Sequence, residues 1–220
     1  MKISYKHNFI FIHMWKNAGT SVRNALDPYA YQVTFDRKLR YHFCKLLGLN
    51  PGEKLARAYE APSPHLKAVE VRDLLGKAAY DQFYSFSFSR NPYTRLVSQY
   101  TKITFKESHG HHQLAKDLGS FEEYVKWRVN SGKETFQWQF VNDLEGNTIV
   151  DFIGKFETLP QDLKHVGEHL GLELNLSHHN KTIRAEKSTA EYFTPSLVEF
   201  VKTHYEKDFE FFGYDINRIP

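Results

Sequence analysis

Cysteine is nearly absent from this 220-residue sequence, in which Cys44 stands alone. One cysteine allows neither an intrachain disulfide nor a thiolate metal site, so the chain is not a disulfide-stapled secreted domain. Long hydrophobic runs are absent too, since the apolar stretch Phe9–Ile12 is too short for a signal peptide or a membrane span. No repeat or low-complexity tract interrupts the sequence. We therefore expect a single soluble domain over residues 1–220, in a reducing compartment.

A large charge excess of either sign is also missing. Lys and Arg number 29 against 26 Asp and Glu, which leaves a net charge of +3. This balance suits an anionic ligand but is too small for a dedicated nucleic-acid binder. Hydrophobic residues at 41% and charged residues at 25% exclude a disordered or collagen-like chain. Aromatic residues are plentiful, and we read them as a phenylalanine-rich core with tyrosines at its rim.

Three apolar segments have the composition of buried strands: residues 8–13, Phe83–Ser89 and Thr148–Ile153. Helix signals follow them, which predicts an α/β fold with a P-loop-like, open and mainly parallel sheet flanked by helices. Residues 29–64 have weak periodicity, and we expect a lid or an acceptor-side lobe there. The predicted helices are Ser21–Leu26, one from Asn91-Pro92 to about Ile103, one after Ser120 with Glu123, Leu163–Leu170 after Thr158 and Pro160, and one after Thr194-Pro195.

The turn after the first strand, residues 13–21, reads His-Met-Trp-Lys-Asn-Ala-Gly-Thr-Ser. Ligands of open α/β sheets bind where a strand ends and a helix begins, and the N–H groups of a helix N-terminus attract anions. Lys16 adds a charge, and Thr20 and Ser21 add hydroxyls. The order differs from the nucleotide-triphosphatase P-loop, because the lysine precedes a single glycine. The turn therefore predicts a phosphate cradle or an ordinary strand–helix turn with an exposed lysine.

A second junction of this kind begins at Arg90, after the second predicted strand. Arg90 at a strand end can offer a fixed fork of donors to a phosphate. Arg95 is a further anion contact or a helix-surface charge, and Ser98 is a phosphate contact or a hydroxyl bonded to its own backbone. A fully helical path from Asn91 to Ser98 rises about 10 Å. Arg90 and Ser98 can therefore share a phosphate only if the arginine folds along the helix.

Together the two segments resemble a known family. Residues 11–21 (FIHMWKNAGTS) are similar to the 5′-phosphosulfate-binding loop of sulfotransferases, and residues 88–100 (FSRNPYTRLVSQY) to their 3′-phosphate-binding segment. The resemblance is closest to the carbohydrate sulfotransferase branch called family 2. It extends from Phe9 to Tyr214, with further agreement at residues 150–159, 180–182 and 205–214, and it fades over residues 29–64 and 105–119.

The resemblance implies a metal-independent transfer of a sulfuryl group from 3′-phosphoadenosine-5′-phosphosulfate (PAPS) to a hydroxyl, usually on a sugar. It implies that Lys16 contacts the bridging oxygen and stabilises the departing phosphate. Donors for in-line transfer and a cation at the leaving oxygen agree with the phosphoryl-transfer analogy. The cofactor contacts that the resemblance implies are Lys16, Asn17, Ala18, Gly19, Thr20 and Ser21 at the 5′-phosphate, Arg90 and Ser98 at the 3′-phosphate, and Lys181 and Arg184 in a late loop.

The general base is predicted to be His65, since a histidine is neutral near pH 7 and family members carry one in a similar stretch. His13 and Glu60 are the alternatives. The run His109–His112 suggests a metal site, but no acidic or thiol ligand completes it, so we expect a loop on the acceptor side. Trp138 is a core residue or a platform on which a sugar stacks, and Glu157 is expected to be structural.

Two competing functions remain open from the sequence. One is a P-loop kinase or nucleotide triphosphatase, because the segment Thr148–Asp151 resembles a strand that ends in a magnesium-binding aspartate. The other is a non-catalytic relative that binds glycans or nucleotides. The acceptor and the oligomeric state are not determined by the sequence. We expect no nucleic-acid partner and no membrane span, and we favour a bacterial cytoplasmic enzyme over the excised catalytic domain of a Golgi-lumen enzyme.

Overall fold

The computed structural model describes residues 1–30, 46, 65–176 and 187–220. Within these residues, four strands form one sheet in the order β1 (Lys2–Ser4), β2 (Phe9–Phe11), β3 (Tyr84–Ser89) and β4 (Phe152–Lys155). β1 pairs antiparallel with β2, whereas β2–β3 and β3–β4 are parallel. The prediction of an open, mainly parallel sheet in an α/β fold is confirmed.

Helices connect and flank these strands, and several begin where capping residues predict. The Asn91 side chain accepts a hydrogen bond from the Tyr93 amide at 2.9 Å, and Thr194 Oγ1 accepts one from the Leu197 amide at 3.1 Å. In the described part of the chain the α-helices are α1 (Gly19–Leu26), α2 (Ala68–Leu75), α3 (Lys77–Tyr80), α4 (Pro92–Phe105), α5 (His112–Asp117), α6 (Phe121–Asn130), α7 (Trp138–Val141), α8 (Leu159–Leu170) and α9 (Pro195–Phe212).

Two element predictions are corrected. The predicted strand Thr148–Ile153 is displaced, since Thr148 forms only an isolated bridge and β4 begins at Phe152. The helix predicted from Leu163 begins a turn earlier, at Leu159, because Pro160 is compatible with the first turn of a helix. The antiparallel strand β1 was not predicted, as three residues are too few for a periodic signal.

The core follows the two-residue period of β2. Phe9 and Phe11 point to the face covered by α1 and α8, whereas Ile10 and Ile12 pack with α2 and α7 on the opposite face. A third cluster joins α4, α6 and α9 around Tyr124. Each large apolar side chain so buried contributes about 1.5–3 kcal/mol to stability.

This packing fixes the relative position of the two strand–helix junctions. Because β2 and β3 are parallel neighbours, the turn into α1 and the start of α4 lie at the same carboxyl edge of the sheet. None of the helices in the described part of the chain combines the length and apolar character that a membrane span needs.

Candidate active site

A cavity of about 700 Å³ opens at the carboxyl ends of β2 and β3. The loop between β2 and α1 forms part of its wall, and Arg90 with the second half of α4 forms another part. None of the described residues that line it is an aspartate or a glutamate. The lysines and arginines that line the cavity are Lys16, Arg23, Arg90, Lys102, Lys106 and Arg128. The site is therefore built for a ligand with several negative charges.

The loop before α1 has an unusual backbone. Lys16 and Ala18 have φ values of 68° and 57°, a left-handed conformation that costs a non-glycine residue free energy. The buried amide of Asn17 holds the loop in this shape, since Nδ2 donates to the Phe88 carbonyl at 2.8 Å and to Gln137 Oε1 at 2.7 Å. Ala18 is the N-cap of α1 and gives no side-chain cap, so the first N–H groups of the helix can bind an anion.

Gly19 lies against the imidazole of His13. A Cβ added at residue 19 would lie 1.7 Å from His13 Nε2, so only glycine fits there while the ring keeps its place. Burial lowers the pKa of His13 to about 2, which keeps the ring neutral. Its Nδ1 atom is buried without a hydrogen-bond partner among the described residues. Within the described part of the chain, His13 is thus a buried polar group at the cavity wall with an unsatisfied ring nitrogen.

Arg90 bends back along the first turn of α4. Its Nε donates to Thr94 Oγ1 at 3.0 Å, Nη1 donates to the Lys16 carbonyl at 3.2 Å, and the guanidinium lies 4.0 Å from the centre of the Phe156 ring. This is the folding along the helix that a shared phosphate contact with Ser98 requires, and both residues line the cavity. Burial lowers the pKa of Arg90 to about 10, so it remains charged at neutral pH.

Gln137 joins the two anion-binding segments, a role that the sequence does not predict. Its Oε1 accepts from Asn17 Nδ2 at 2.7 Å and from the Arg90 amide at 2.9 Å, while Nε2 donates to the Arg90 carbonyl at 2.9 Å. Asp208 accepts from the Gln137 and Trp138 amides and fixes the start of α7. No local signal marks Gln137, because its partners are 47 and 120 positions away along the chain.

Arg95 has neither of the roles that its position in the sequence suggested. It is fully buried, with Nη1 2.9 Å from Glu134 Oε1 and Nη2 3.0 Å from the Thr135 carbonyl. Its Nε donates to the Trp15 carbonyl at 3.3 Å, next to Lys16. Arg95 therefore supports the loop from behind, and it is neither a surface charge nor an anion contact.

His65 lies beside His13 at the cavity wall, with ring centroids 4.2 Å apart. Its Nδ1 is 3.0 Å from the His13 carbonyl. A carbonyl oxygen only accepts, so Nδ1 carries the proton and Nε2 is the basic nitrogen of the neutral ring. Burial lowers the pKa of His65, which favours that neutral form at physiological pH.

Lys16 and the remaining loop residues share this cavity. Burial and the nearby charges of Lys102 and Arg90 lower the pKa of Lys16 to about 8. Thr20 and Ser21 line the cavity with their hydroxyl-bearing side chains. The structure thus brings together Lys16, Ala18, Gly19, Thr20, Ser21, His65, Arg90 and Ser98, with Asn17 buried behind the loop.

Other predicted residues lie elsewhere. Glu60, Lys181, Arg184 and most of the predicted lid over residues 29–64 fall outside the described residues. Trp138 is partly buried in the core, and Lys207 Nζ lies 3.5 Å from the centre of its ring. Trp138 does not line the cavity. The described residues contain no cluster of three or more side chains that could hold a metal.

Glu157 is structural, as predicted: it accepts hydrogen bonds from the Asn91 amide at 3.0 Å and from the Tyr214 hydroxyl at 2.9 Å. Asp151 stands before β4, where it accepts from the Ser85 amide and hydroxyl at 2.7 and 2.8 Å. It therefore lies at the amino edge of the sheet, opposite the cavity. Asp151 is therefore too far from the cavity to hold a magnesium ion there, as a kinase would require.

Comparison with known proteins gives one family. The family model described as "Sulfotransferase family" matches residues 1–215. An uncharacterized protein from Archaeoglobus fulgidus is 33% identical over 103 residues, which make up 46% of this chain and 79% of that protein.

Proposed function

The chain belongs to the sulfotransferase family, since the family model covers residues 1–215, and from this premise we propose that it moves the sulfuryl group of PAPS to a hydroxyl of a carbohydrate or glycoconjugate. The observation that carries the proposal is the cavity at the carboxyl edge of the sheet. Lys16 and Arg90 line it together, and none of its described lining residues is acidic.

The residues present fit PAPS. The N-terminus of α1, with Lys16, Thr20 and Ser21, would hold the 5′-phosphosulfate, and Arg90 with Ser98 would hold the 3′-phosphate. The lack of a side-chain cap at Ala18 leaves N–H donors for the ligand. The family resemblance implies further contacts from Lys181 and Arg184, which lie outside the described residues.

When bound, PAPS supplies a sulfuryl group, whose bond to the bridging phosphate oxygen breaks as the acceptor oxygen bonds to sulfur, giving a sulfate ester and 3′-phosphoadenosine-5′-phosphate (PAP). Lys16 would place a positive charge at the leaving oxygen, where negative charge develops. His65 would take the acceptor hydroxyl proton on Nε2, because its Nδ1 proton is held by the His13 carbonyl. This chemistry needs no metal, and the single cysteine is compatible with a cytoplasmic setting.

The first test is the thermal unfolding of the protein with and without PAP. A ligand at 100 times its Kd stabilises the folded state by about 2.7 kcal/mol, which a melting curve resolves. We expect a rise in Tm for the wild type and for Arg218→Ala, an exposed control at the C-terminus, and none for Arg90→Ala. A shift from ATP with magnesium and none from PAP would contradict the proposal and favour a kinase.

The second test follows labelled sulfate from PAPS to a panel of glycans. His65→Ala should keep the PAP-induced rise in Tm and lose transfer, since the residue would act on the acceptor proton only. Retained turnover would make His13 or Glu60 the better candidate for the base. A wild-type protein that binds PAP and transfers to no glycan would contradict the carbohydrate acceptor, and the absence of transfer to any hydroxyl compound would favour a non-catalytic relative.

A further inference from the structure

The three tryptophans of the sequence, Trp15, Trp127 and Trp138, all lie in the described part of the chain. Trp127 packs against the cluster around Tyr124, and Trp138 packs against the cluster that contains Ile10. Trp15 alone of the three lines the cavity, where it is partly exposed. Trp15, and not Trp138, is therefore the tryptophan that a ligand in the cavity can contact.

Trp15 lies beside both residues to which the proposed function assigns the chemistry. It directly precedes Lys16 in the chain, and its ring centroid lies 5.3 Å from that of His65. Lys16 would stand at the leaving oxygen of the donor, and His65 would stand at the acceptor hydroxyl. A ligand group that contacts Trp15 and His65 together therefore belongs to the acceptor.

The indole of Trp15 has contacts with the edges of other rings and no parallel stacking partner in the described part of the chain. The rings of His65 and Phe140 are inclined to it by 74° and 66°, with the Phe140 centroid 6.1 Å away. Phe156, by contrast, has the Arg90 guanidinium 4.0 Å from its ring centre. Among the same described residues, Trp15 makes a hydrogen bond only through its carbonyl. Its π surface and its indole N–H are therefore available to a ligand.

The backbone of Trp15 is anchored from behind the cavity. Its carbonyl accepts a hydrogen bond from Arg95 Nε at 3.3 Å, and Arg95 is paired with Glu134, whose side chain is 1% exposed. Met14, the residue before it, is buried. A rigid aromatic side chain loses little conformational entropy when a ligand binds to it. Trp15 is therefore a preformed contact surface.

A sugar ring suits this surface. One face of a pyranose can present mainly C–H groups while the hydroxyls point outward from its rim, so the ring can lie on an aromatic face and still expose a hydroxyl. We propose that Trp15 is a platform on which a pyranose ring of the acceptor stacks, and that this contact places the reacting hydroxyl at His65. The inference rests on the proposed sulfotransferase activity and adds a specificity-determining residue to it.

The kinetic test uses the whole chain and the glycan that the wild type sulfates best. The panel includes a tetrasaccharide of N-acetyllactosamine units and one of alternating N-acetylglucosamine and glucuronate, so that it holds a neutral and an acidic acceptor. Transfer from labelled PAPS gives kcat and KM, and calorimetry gives the Kd of PAP. Trp15→Leu removes the aromatic face and keeps apolar bulk, Trp15→Phe keeps an aromatic face, and Trp138→Leu makes the same change outside the cavity.

We expect Trp15→Leu to raise the KM of the acceptor by about 3- to 10-fold, the range of one aromatic stacking contact. The Kd of PAP should stay within about twofold, because the platform would contact the acceptor only. Trp15→Phe should recover most of the loss. Trp138→Leu should keep the wild-type KM.

A second measurement is independent of turnover. The variant Trp127→Phe/Trp138→Phe has Trp15 as its one tryptophan. With PAP bound, titration with the acceptor should change the tryptophan fluorescence in a saturable way, because a stacked sugar excludes water from the indole. Trp15→Phe is the matched control, since it keeps the other two tryptophans and should show no such change.

Three results would overturn the inference. They are an unchanged KM in Trp15→Leu, an increase in the Kd of PAP as large as the increase in KM, and no change in the fluorescence of Trp15 with a glycan that the wild type sulfates. The second result would assign Trp15 to the adenine of the donor. Failure of the wild type to bind PAP would instead contradict the proposed function, so the two failures can be distinguished.

Discussion

Gly19 and His13 fit together as a pair, because an added Cβ at residue 19 would overlap the imidazole. We expect Gly19→Ala to cost about 1–3 kcal/mol of stability through overpacking. In a His13→Ala background the same substitution should cost much less, since the ring that it meets is gone. Urea unfolding of the four proteins in this double-mutant cycle measures the difference. Equal costs in both backgrounds would show that the loop itself rejects alanine.

The charge of Lys16 depends on pH just above neutrality. Its pKa of about 8 is set by burial and by the charges of Lys102 and Arg90. A bound anion favours the charged form, so the pKa of Lys16 rises in the complex. The affinity for PAP should therefore be constant below pH 8 and fall by up to about tenfold per pH unit above it.

Calorimetric titrations of PAP between pH 7 and 9.5 measure this effect. Lys16→Arg is the matched control, because an arginine stays charged throughout that range. The variant should therefore bind with little dependence on pH. Parallel profiles for the wild type and the variant would mean that Lys16 does not titrate in the free protein.

The candidate site residues divide by how far away their partners lie in the sequence. Lys16 and Arg90 could be proposed because each lies in a segment that holds a strand end and a helix start together. Gln137 and Arg95 could not, since their hydrogen bonds join residues 39 to 120 positions apart. Arg95 is an example. Its position in the helix suggested an exposed side chain, but the ion pair with the buried Glu134 holds it inside the protein.

At the scale of secondary structure, Gln137 joins the start of α7 to the loop before α1 and to the end of β3. We expect Gln137→Ala to weaken PAP binding by about 10- to 100-fold, because several hydrogen bonds that hold the two phosphate sites in register are lost. Adenosine 5′-phosphate, which has one phosphate, should lose less. Calorimetry with both nucleotides measures the two losses.

Gln139→Ala is the control for this change, because Gln139 accepts only from the Phe136 amide at 3.2 Å among the hydrogen bonds of the described chain. It should leave both affinities close to those of the wild type. If Gln137→Ala weakened both nucleotides equally, Gln137 would hold one phosphate site and would not couple the two.

Helix starts were predicted more accurately than strand ends, for a physical reason. A cap such as Asn91 or Thr194 acts within three residues, so its signal is local. The end of β4 depends on the neighbouring strand: Gly154 lies opposite Phe88, and an added Cβ would be 2.6 Å from that ring. Neither Gly154 nor Lys155 has a side chain that favours strands. The apolar residues before them therefore led to a predicted strand, Thr148–Ile153, that begins and ends too early in the sequence.

At the scale of the whole molecule, charge is concentrated in one place. The chain has a net charge of only +3, yet its cavity has cationic side chains and, among the described residues, no carboxylate. Composition predicts the overall balance and an anionic ligand. Composition does not predict that positive charge is concentrated in one cavity, because the lining residues come from separate segments that only the tertiary fold brings together. Burial is the main cause of the lowered pKa values of His13 and His65 at the cavity wall, and the nearby positive charges add to it.

The stability of the fold should fall in acid because of His13. Its pKa is about 2 in the folded protein, whereas a histidine in the unfolded chain titrates near 6.5. Below pH 6.5 the unfolded state therefore binds a proton that the folded state does not, and the free energy of unfolding falls as the pH falls. This contribution is absent above pH 6.5 and approaches about 1.4 kcal/mol per pH unit below it.

His13→Phe keeps a ring of similar size next to Gly19 and removes this proton, while His65 and Asp208 remain in both proteins. Burial raises the pKa of Asp208, which acts in the opposite direction and is common to the pair. Between pH 6 and pH 5 the wild type should thus lose about 1 kcal/mol more stability than the variant. Denaturant unfolding across this range measures both curves. Parallel curves would mean that His13 can take up a proton in the folded state. Its Nδ1, which has no partner among the described residues, could then accept a proton from a ligand.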